Sequence, residues 1–328
     1  MSLNTPIYKL KDWVKIENLN WECLCLNTKA ISLLIDNQNK INWSYLSKNS
    51  SAIDFLRNNQ DKICFSCFSE NPYATSLLRN HYDKYINWDL LSSSPNAVPF
   101  LNENKDKIVW KELSLNKNAG FLLKENPDKI HWNNLCLNES DEAISLLESN
   151  PDKIDWYLLS SNSKALPILL KNQDKINWAS LCENSNPEVI SLLSDNIDMI
   201  NWTCLSRNPN ALPILANNLH KINWKALSVN TNPKIIQLFE KNLYQADWYH
   251  LSKNPAAISL LEKNKDMINW FSISFNPEIF ELDYEKMKEN EFHMKLEEEL
   301  IQEVMNPSRV FKNNIQKGYD YLKELFGY

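Results

Sequence analysis

Glycine is almost missing from this chain: 328 residues contain only Gly120, Gly318 and Gly327. A loop that cradles phosphates or a dinucleotide needs several glycines close together, so P-loop and Rossmann chemistry are excluded. No apolar run approaches the roughly 18 residues of a membrane span, and Met1-Ser2-Leu3-Asn4-Thr5-Pro6 has neither the charged start nor the apolar stretch of a secretory signal. Those two absences predict a soluble, intracellular protein. An excess of charge is lacking too: 35 basic against 41 acidic residues leave −6, which offers no overall attraction for phosphate backbones or anionic membranes. Cysteines are few and odd in number. Seven scattered thiols do not make a secreted disulfide framework and suit a reducing compartment.

What the chain does have is a repeat. An aromatic residue recurs at Trp21, Trp43, Phe65, Trp88, Trp110, Trp132, Trp156, Trp178, Trp202, Trp224, Trp248 and Trp270, at steps of 22 to 24 residues. Three of the four longer steps contain two extra residues after a repeated asparagine, as in Asn138-Glu139-Ser140, and read as loop insertions. In the unit that opens at Asn254-Pro255, the apolar residues Ala257, Ile258, Leu260 and Leu261 fall on one stripe of a short helix, with asparagine and proline as its start signal. Asparagine six residues before most of the aromatics, at ten places from Asn37 to Asn264, reads as a C-cap in the left-handed conformation. A second Asn or Asp immediately before most of the tryptophans caps a second short helix, which carries the aromatic, a leucine three residues later and then serine or cysteine. A unit this short cannot bury its apolar face alone, so only a stack is stable.

The pattern therefore predicts an all-α solenoid of about eleven two-helix repeats over residues 21–280, with an N-terminal cap in residues 1–20 and C-terminal capping helices in 281–328. A leucine-rich-repeat-like solenoid shares the period and is the alternative. Against it stand the Ala-Ile-x-Leu-Leu spacing and the lack of a Leu-x-Leu alternation. Pro99, Pro167 and Pro213 share one column near the start of the first helix, which is expected to bend or begin late there. Beyond Asn276-Pro277, a Glu/Lys-rich run from Asp283 to Met305 predicts a longer amphipathic helix, followed by a short one around Tyr319 to Phe326.

Units of the form Asn-Pro-x-Ala-Ile-x-Leu-Leu-x-x-Asn-x-Asp-Lys-Ile-Asn-Trp-x-x-Leu-Ser resemble short repeats of proteins of giant DNA viruses. The likeness spans about residues 20 to 280, and Asn126-Pro127-Asp128-Lys129-Ile130-His131-Trp132 carries it with one departure at His131. The stretch Met305-Asn306-Pro307-Ser308-Arg309-Val310, followed by Gly318-Tyr319, looks like the close of such proteins. The resemblance implies a viral protein in the host cytoplasm. It supplies no catalytic motif.

Cys23-x-Cys25 and Cys64-x-x-Cys67 have ligand-like spacing, yet they lie two repeats apart, roughly 20 Å at about 10 Å per layer, too far to share a zinc ion. Cys25, Cys136 and Cys182 moreover fill the small-residue column, while Cys23, Cys67 and Cys204 share the place two after the aromatic. His81, His131, His220, His250 and His293 fall in different columns. No metal, cofactor or catalytic set is expected, and the chain reads as non-enzymatic. Lys40, Lys62, Lys107, Lys129, Lys153, Lys175 and Lys221 form a column that in a solenoid makes a basic ridge, but aspartates precede most of them and nearly neutralise it. An RNA- or nucleoprotein-binding array is thus the second reading. The first is a protein-binding scaffold, monomeric outside its complex and about 100 Å long at roughly 10 Å per layer, for a host or viral protein or an extended peptide. Its contacts are expected where the units stop agreeing, one and two residues after the aromatic. The candidate anchors there are Tyr45, Tyr157, Tyr249, His250 and Phe271.

Overall fold

A helix begins at every one of the twelve aromatic markers in the computed structural model, which describes residues 6–78, 85–290 and 295. These helices are Trp21–Leu26, Trp43–Lys48, Phe65–Phe68, Trp88–Ser93, Trp110–Leu113, Trp132–Cys136, Trp156–Ser160, Trp178–Leu181, Trp202–Arg207, Trp224–Leu227, Trp248–Lys253 and Trp270–Ile273. Each starts because the residue before the aromatic is extended and, in most units, lends a side-chain acceptor to an N–H of the first turn. Asn20 accepts from Cys23, Asp155 from Leu158 and Asn269 from Ser272. His131 does the same through Nδ1, so the departure at that position preserves the cap.

Where a unit carries the asparagine-proline signal, its second α-helix starts later than that signal suggests. Asn254 accepts from the N–H of Ala256, but the residues it caps, Pro255–Ala257, form a single 3₁₀ turn, and the α-helix runs over Ile258–Lys263. Pro99, Pro167 and Pro213 each sit second in such a helix, where a missing N–H breaks no bond. The asparagine that closes the helix is not left-handed, contrary to expectation: Asn37 has φ −132° and Asn264 φ −128°. It caps with its side chain instead, Asn37 Nδ2 donating to Leu33 O at 2.9 Å and Asn264 Nδ2 to Leu260 O at 2.8 Å.

The core is made of leucines rather than tryptophans. Leu46, Leu91, Leu135 and Leu205 on the aromatic-bearing helices, and Leu56, Leu101, Leu147 and Leu215 on the second helices, are essentially inaccessible, as are Ala52, Ala97, Ala143 and Ala211 between them. Each such leucine contributes roughly 1.5–3 kcal/mol by leaving water. The tryptophans, by contrast, are half-buried. One face of the ring lies on its own unit, as Trp43 on Phe55 and Trp88 on Phe100, both at 5.7 Å between centroids. A lysine of the following loop covers the ring in at least five units, with Nζ 4.2 Å from the centroid for Lys40 over Trp21 and 4.9 Å for Lys175 over Trp156. Much of the lysine column is thus engaged by aromatic faces rather than standing as a free ridge.

Two hydrogen-bond ladders join the units. The buried asparagine six residues after the aromatic accepts an N–H two residues on and donates both amide protons backward to two carbonyls of the preceding unit. Asn138 is typical: Oδ1 takes the N–H of Ser140 at 2.9 Å, and Nδ2 reaches Ser114 O at 3.0 Å and Asn116 O at 3.1 Å. Eleven of the twelve units carry this asparagine; the exception, Ser94, has one donor where two are needed. The second ladder uses the small residue four after the aromatic. Ser47 Oγ donates to Trp43 O at 2.7 Å and accepts the N–H of Cys64, in the next unit, at 3.1 Å.

Both ladders close. Asn27, in the first unit, donates to Ser274 O and Asn276 O of the last, each at 3.1 Å. The N–H of Asn20 donates to Ser274 Oγ at 2.9 Å, Lys29 Nζ meets Glu278 Oε1 at 2.8 Å, and the N–H of Lys11 reaches Ile279 O at 2.9 Å. Residues 10–280, which form one compact unit, are therefore an all-α repeat solenoid bent into a closed ring of twelve. An open array about 100 Å long is ruled out, and the faces that caps were expected to cover are paired with each other. Successive aromatic-bearing helices approach one another more closely than successive second helices, which puts the former on the inner circle.

The other unit comprises residues 1–9 and 281–328. In its described part Asp283 N donates to Ile7 O at 2.9 Å, and Lys9 pairs with Glu281 at 3.9 Å. Strands β1 (Tyr8–Leu10) and β2 (Phe280–Leu282) pair in a two-stranded sheet. Residues 284–290 are helical behind Asp283, whose carboxylate accepts the N–H of Lys286 at 3.0 Å. The remainder of the expected long helix, apart from residue 295, the closing helix near Tyr319, the Met305–Val310 stretch, His81 and His293 lie outside the described residues.

Candidate functional site

On a helix only about one and a half turns long, residues one and five after the aromatic stand one above the other. Leucine at +3 and the small residue at +4 point into the core, so +1 and +5, with +2 at the edge, form the solvent-facing strip of the inner circle. Twelve such strips make a continuous band whose +1 side chains are mostly exposed, while the +2 residue is buried in some units, as at Cys23, Ser180, Ala226 and Ser272. The five sequence candidates all lie on it. Tyr157 is 62% exposed, Tyr249 and Phe271 50%, Tyr45 36%, and His250 is half-buried.

The structure brings three of the five together. Tyr249 and His250 belong to the eleventh unit and Phe271 to the twelfth, whereas Tyr45 and Tyr157 stand apart in the second and seventh. Around the trio the geometry is ordered. The Tyr249 and His250 rings meet edge to face at 5.2 Å, Phe271 meets Phe275 likewise at 5.9 Å, and Lys253 Nζ lies 4.8 Å from the Phe275 centroid. His250 Nδ1 is 2.9 Å from Asp247 Oδ2, the carboxylate that also caps this helix by accepting the His250 N–H. Partial burial raises the Asp247 pKa, but the hydrogen bonds from the His250 ring and N–H outweigh it and hold the carboxyl below its usual range.

Sequence reasoning missed the members at +5, Lys253 and Phe275. The signal that identifies them is the four-residue helical spacing from Tyr249 and Phe271. Over the whole band, the 36 residues at +1, +2 and +5 include five acids (Glu22, Glu70, Asp89, Glu112, Glu183) and five bases (Lys48, Lys111, Arg207, Lys225, Lys253). Some of these pair with each other, as Lys48 with Glu70 at 2.7 Å and Arg207 with Glu183 at 3.4 Å. Such a band is electrically balanced and carries no phosphate-tracking stripe. Among the described residues no three His, Cys, Asp or Glu side chains converge as metal ligands, and no helix is long and apolar enough to cross a membrane. Compared with family models, curated proteins and solved structures, the chain finds no match.

Proposed function

We propose that this chain is a non-enzymatic protein-binding ring that holds a segment of a host or viral protein against the inner band of its aromatic-bearing helices. The observation that carries the reading is the pair of exposed aromatics Tyr249 and Phe271 in adjacent units, backed by half-buried Phe275 under Lys253, on a band that is otherwise charge-balanced. Aromatic side chains in half-exposed pockets are the usual anchors of protein interfaces, whereas nucleic acid needs a continuous positive track. Size is compatible with this. Twelve helices spaced about 8–10 Å apart on a regular circle leave an opening on the order of 20 Å, which admits a helix about 10–12 Å across or an extended peptide. The viral, host-cytoplasmic setting is part of the proposal and rests on the repeat resemblance alone.

The test is recovery of partners on the tagged full chain from infected cells, with and without nuclease, alongside a Tyr249→Ser/Phe271→Ser variant. A protein retained after nuclease and lost with the double variant supports the reading. Partners that vanish with nuclease overturn it in favour of an RNA- or nucleoprotein-binding array.

A further inference from the structure

The third unit departs from the other eleven at two places at once. It is the only one with cysteine both at the cap before the aromatic, Cys64, and two residues after it, Cys67; Cys23 and Cys204 share the latter register but stand behind the asparagines Asn20 and Asn201. Cys64 Sγ stands at the position that a capping side chain fills in most other units and lies 3.4 Å from Ser66 Oγ. Residues three apart across the first turn of a helix have Cα atoms about 5–6 Å apart, inside the span that a disulfide bridges without backbone movement.

Both thiols are half-buried, and they differ in what they face. An open cavity of about 670 Å³ is lined by Cys64 together with Phe65, Tyr85, Asn87, Trp88 and Asp89, and Cys67 is not part of its wall. We infer that Cys64 and Cys67 form a thiol–disulfide exchange site, with Cys64 the attacking sulfur, reached through the aromatic cavity, and Cys67 the resolving one. The co-reactant is a low-molecular-weight disulfide. Cys64 as thiolate attacks one of its sulfurs, the S–S bond breaks, and the released thiolate takes up the proton that Cys64 gave to solvent. Cys67, deprotonated in turn, attacks Cys64 Sγ and expels the second thiolate, which is protonated. Two protein thiols are oxidised and one external disulfide is reduced to two thiols.

Partial burial raises the Cys64 thiol, but hydrogen bonds from Cys67, Ser66 and Ser44 outweigh it and bring it down to about 7, while burial and the neighbouring Cys64 push Cys67 up. Cys204, equally half-buried, is pushed up by burial and by Glu183. At pH 7 a thiol titrating near 7 is about half ionised against about 1% for one near 9, and the lower intrinsic nucleophilicity of the more acidic sulfur returns about six- to tenfold of that advantage. Cys64 is therefore expected to react with iodoacetamide at least about fivefold faster than Cys204.

The experiment equilibrates the reduced full chain with glutathione buffers of graded ratio, quenches with an alkylating agent and maps cysteines by peptide mass spectrometry. A Cys64–Cys67 bond is expected to form in the wild type. Cys67→Ser should accumulate the glutathione adduct on Cys64, and Cys64→Asn, which restores the usual cap, should abolish both products while Cys204→Ser changes neither. Absence of the Cys64–Cys67 bond across the series in folded wild type, or adducts distributed equally over Cys64 and Cys204, overturns the assignment.

Discussion

Replacing Asn27 by alanine separates a closed ring from an open array, because its worth depends on what lies on the far side of the seam. In the ring, Asn27 is 2% exposed, caps the N–H of Lys29 at 3.1 Å and donates to Ser274 O and Asn276 O at 3.1 Å. Asn138, in the sixth unit, is 1% exposed and makes the same three bonds at 2.9 to 3.1 Å. Losing the cap costs about 1 kcal/mol. Depriving two buried carbonyls of a partner costs about 0.5–1.5 kcal/mol each. Asn27→Ala and Asn138→Ala are both expected to destabilise by about 2–4 kcal/mol and to agree within about 0.5 kcal/mol. Were unit one a free end, the Asn27 amide would face water and only the cap would be lost, about 1 kcal/mol. Urea unfolding of the full chain, followed by tryptophan fluorescence with the slope checked for constancy, reads the difference. A seam variant no worse than about 1 kcal/mol beside an interior variant at 2–4 kcal/mol would refute closure.

Ser47 donates and accepts across the second ladder while fully buried, so Ser47→Ala is expected to cost about 1–3 kcal/mol in urea midpoint analysis. Ser47→Cys should lose less than about 1 kcal/mol, since Cys25, Cys136 and Cys182 fill that place in other units. A methyl group on Gly120 would lie 2.6 Å from Glu142 Cβ on the helix Asp141–Ser149 of the next unit. Gly120→Ala should therefore destabilise by about 1–3 kcal/mol in thermal melts, despite alanine's better helix propensity. The lowered Asp247 carboxyl gives a signed pH dependence: its contribution is present above the ordinary carboxylate pKa and lost as pH falls through the depressed value. Asp247→Asn should be less stable than wild type at neutral pH, and the two should converge in acid, as measured by urea unfolding across pH.

Starts of the aromatic-bearing helices and the positions of their leucines were legible because they are local: a cap before Trp43 and a leucine three residues after it follow from spacing alone. The asparagine ladder was not. The Oδ1 of Asn138 satisfies the cap reading within its own unit, and that reading leaves nothing unexplained, while its Nδ2 partners lie 22 and 24 residues back. Half-burial of the tryptophans was hidden for a similar reason, since the lysine that covers Trp21 belongs to the loop before Trp43. Ring closure depends on a small rotation per unit that no residue pattern encodes. One clue was nonetheless present: end repeats of an open array become polar and atypical, whereas Asn27, Ser274 and Asn276 keep the interior pattern to both ends. At the candidate site, disagreement between units located Tyr249, His250 and Phe271, but their association with Lys253 and Phe275 required the helix register.

Closure is tested most directly by zero-length carbodiimide coupling of the dilute native protein followed by peptide mapping. Lys29 and Glu278 meet at 2.8 Å although 249 residues apart, and Lys48 and Glu70, at 2.7 Å between adjacent interior units, provide the internal control. A closed ring predicts both cross-links within single chains. Formation of the Lys48–Glu70 link with no Lys29–Glu278 link, or with that link only between two chains, would contradict it.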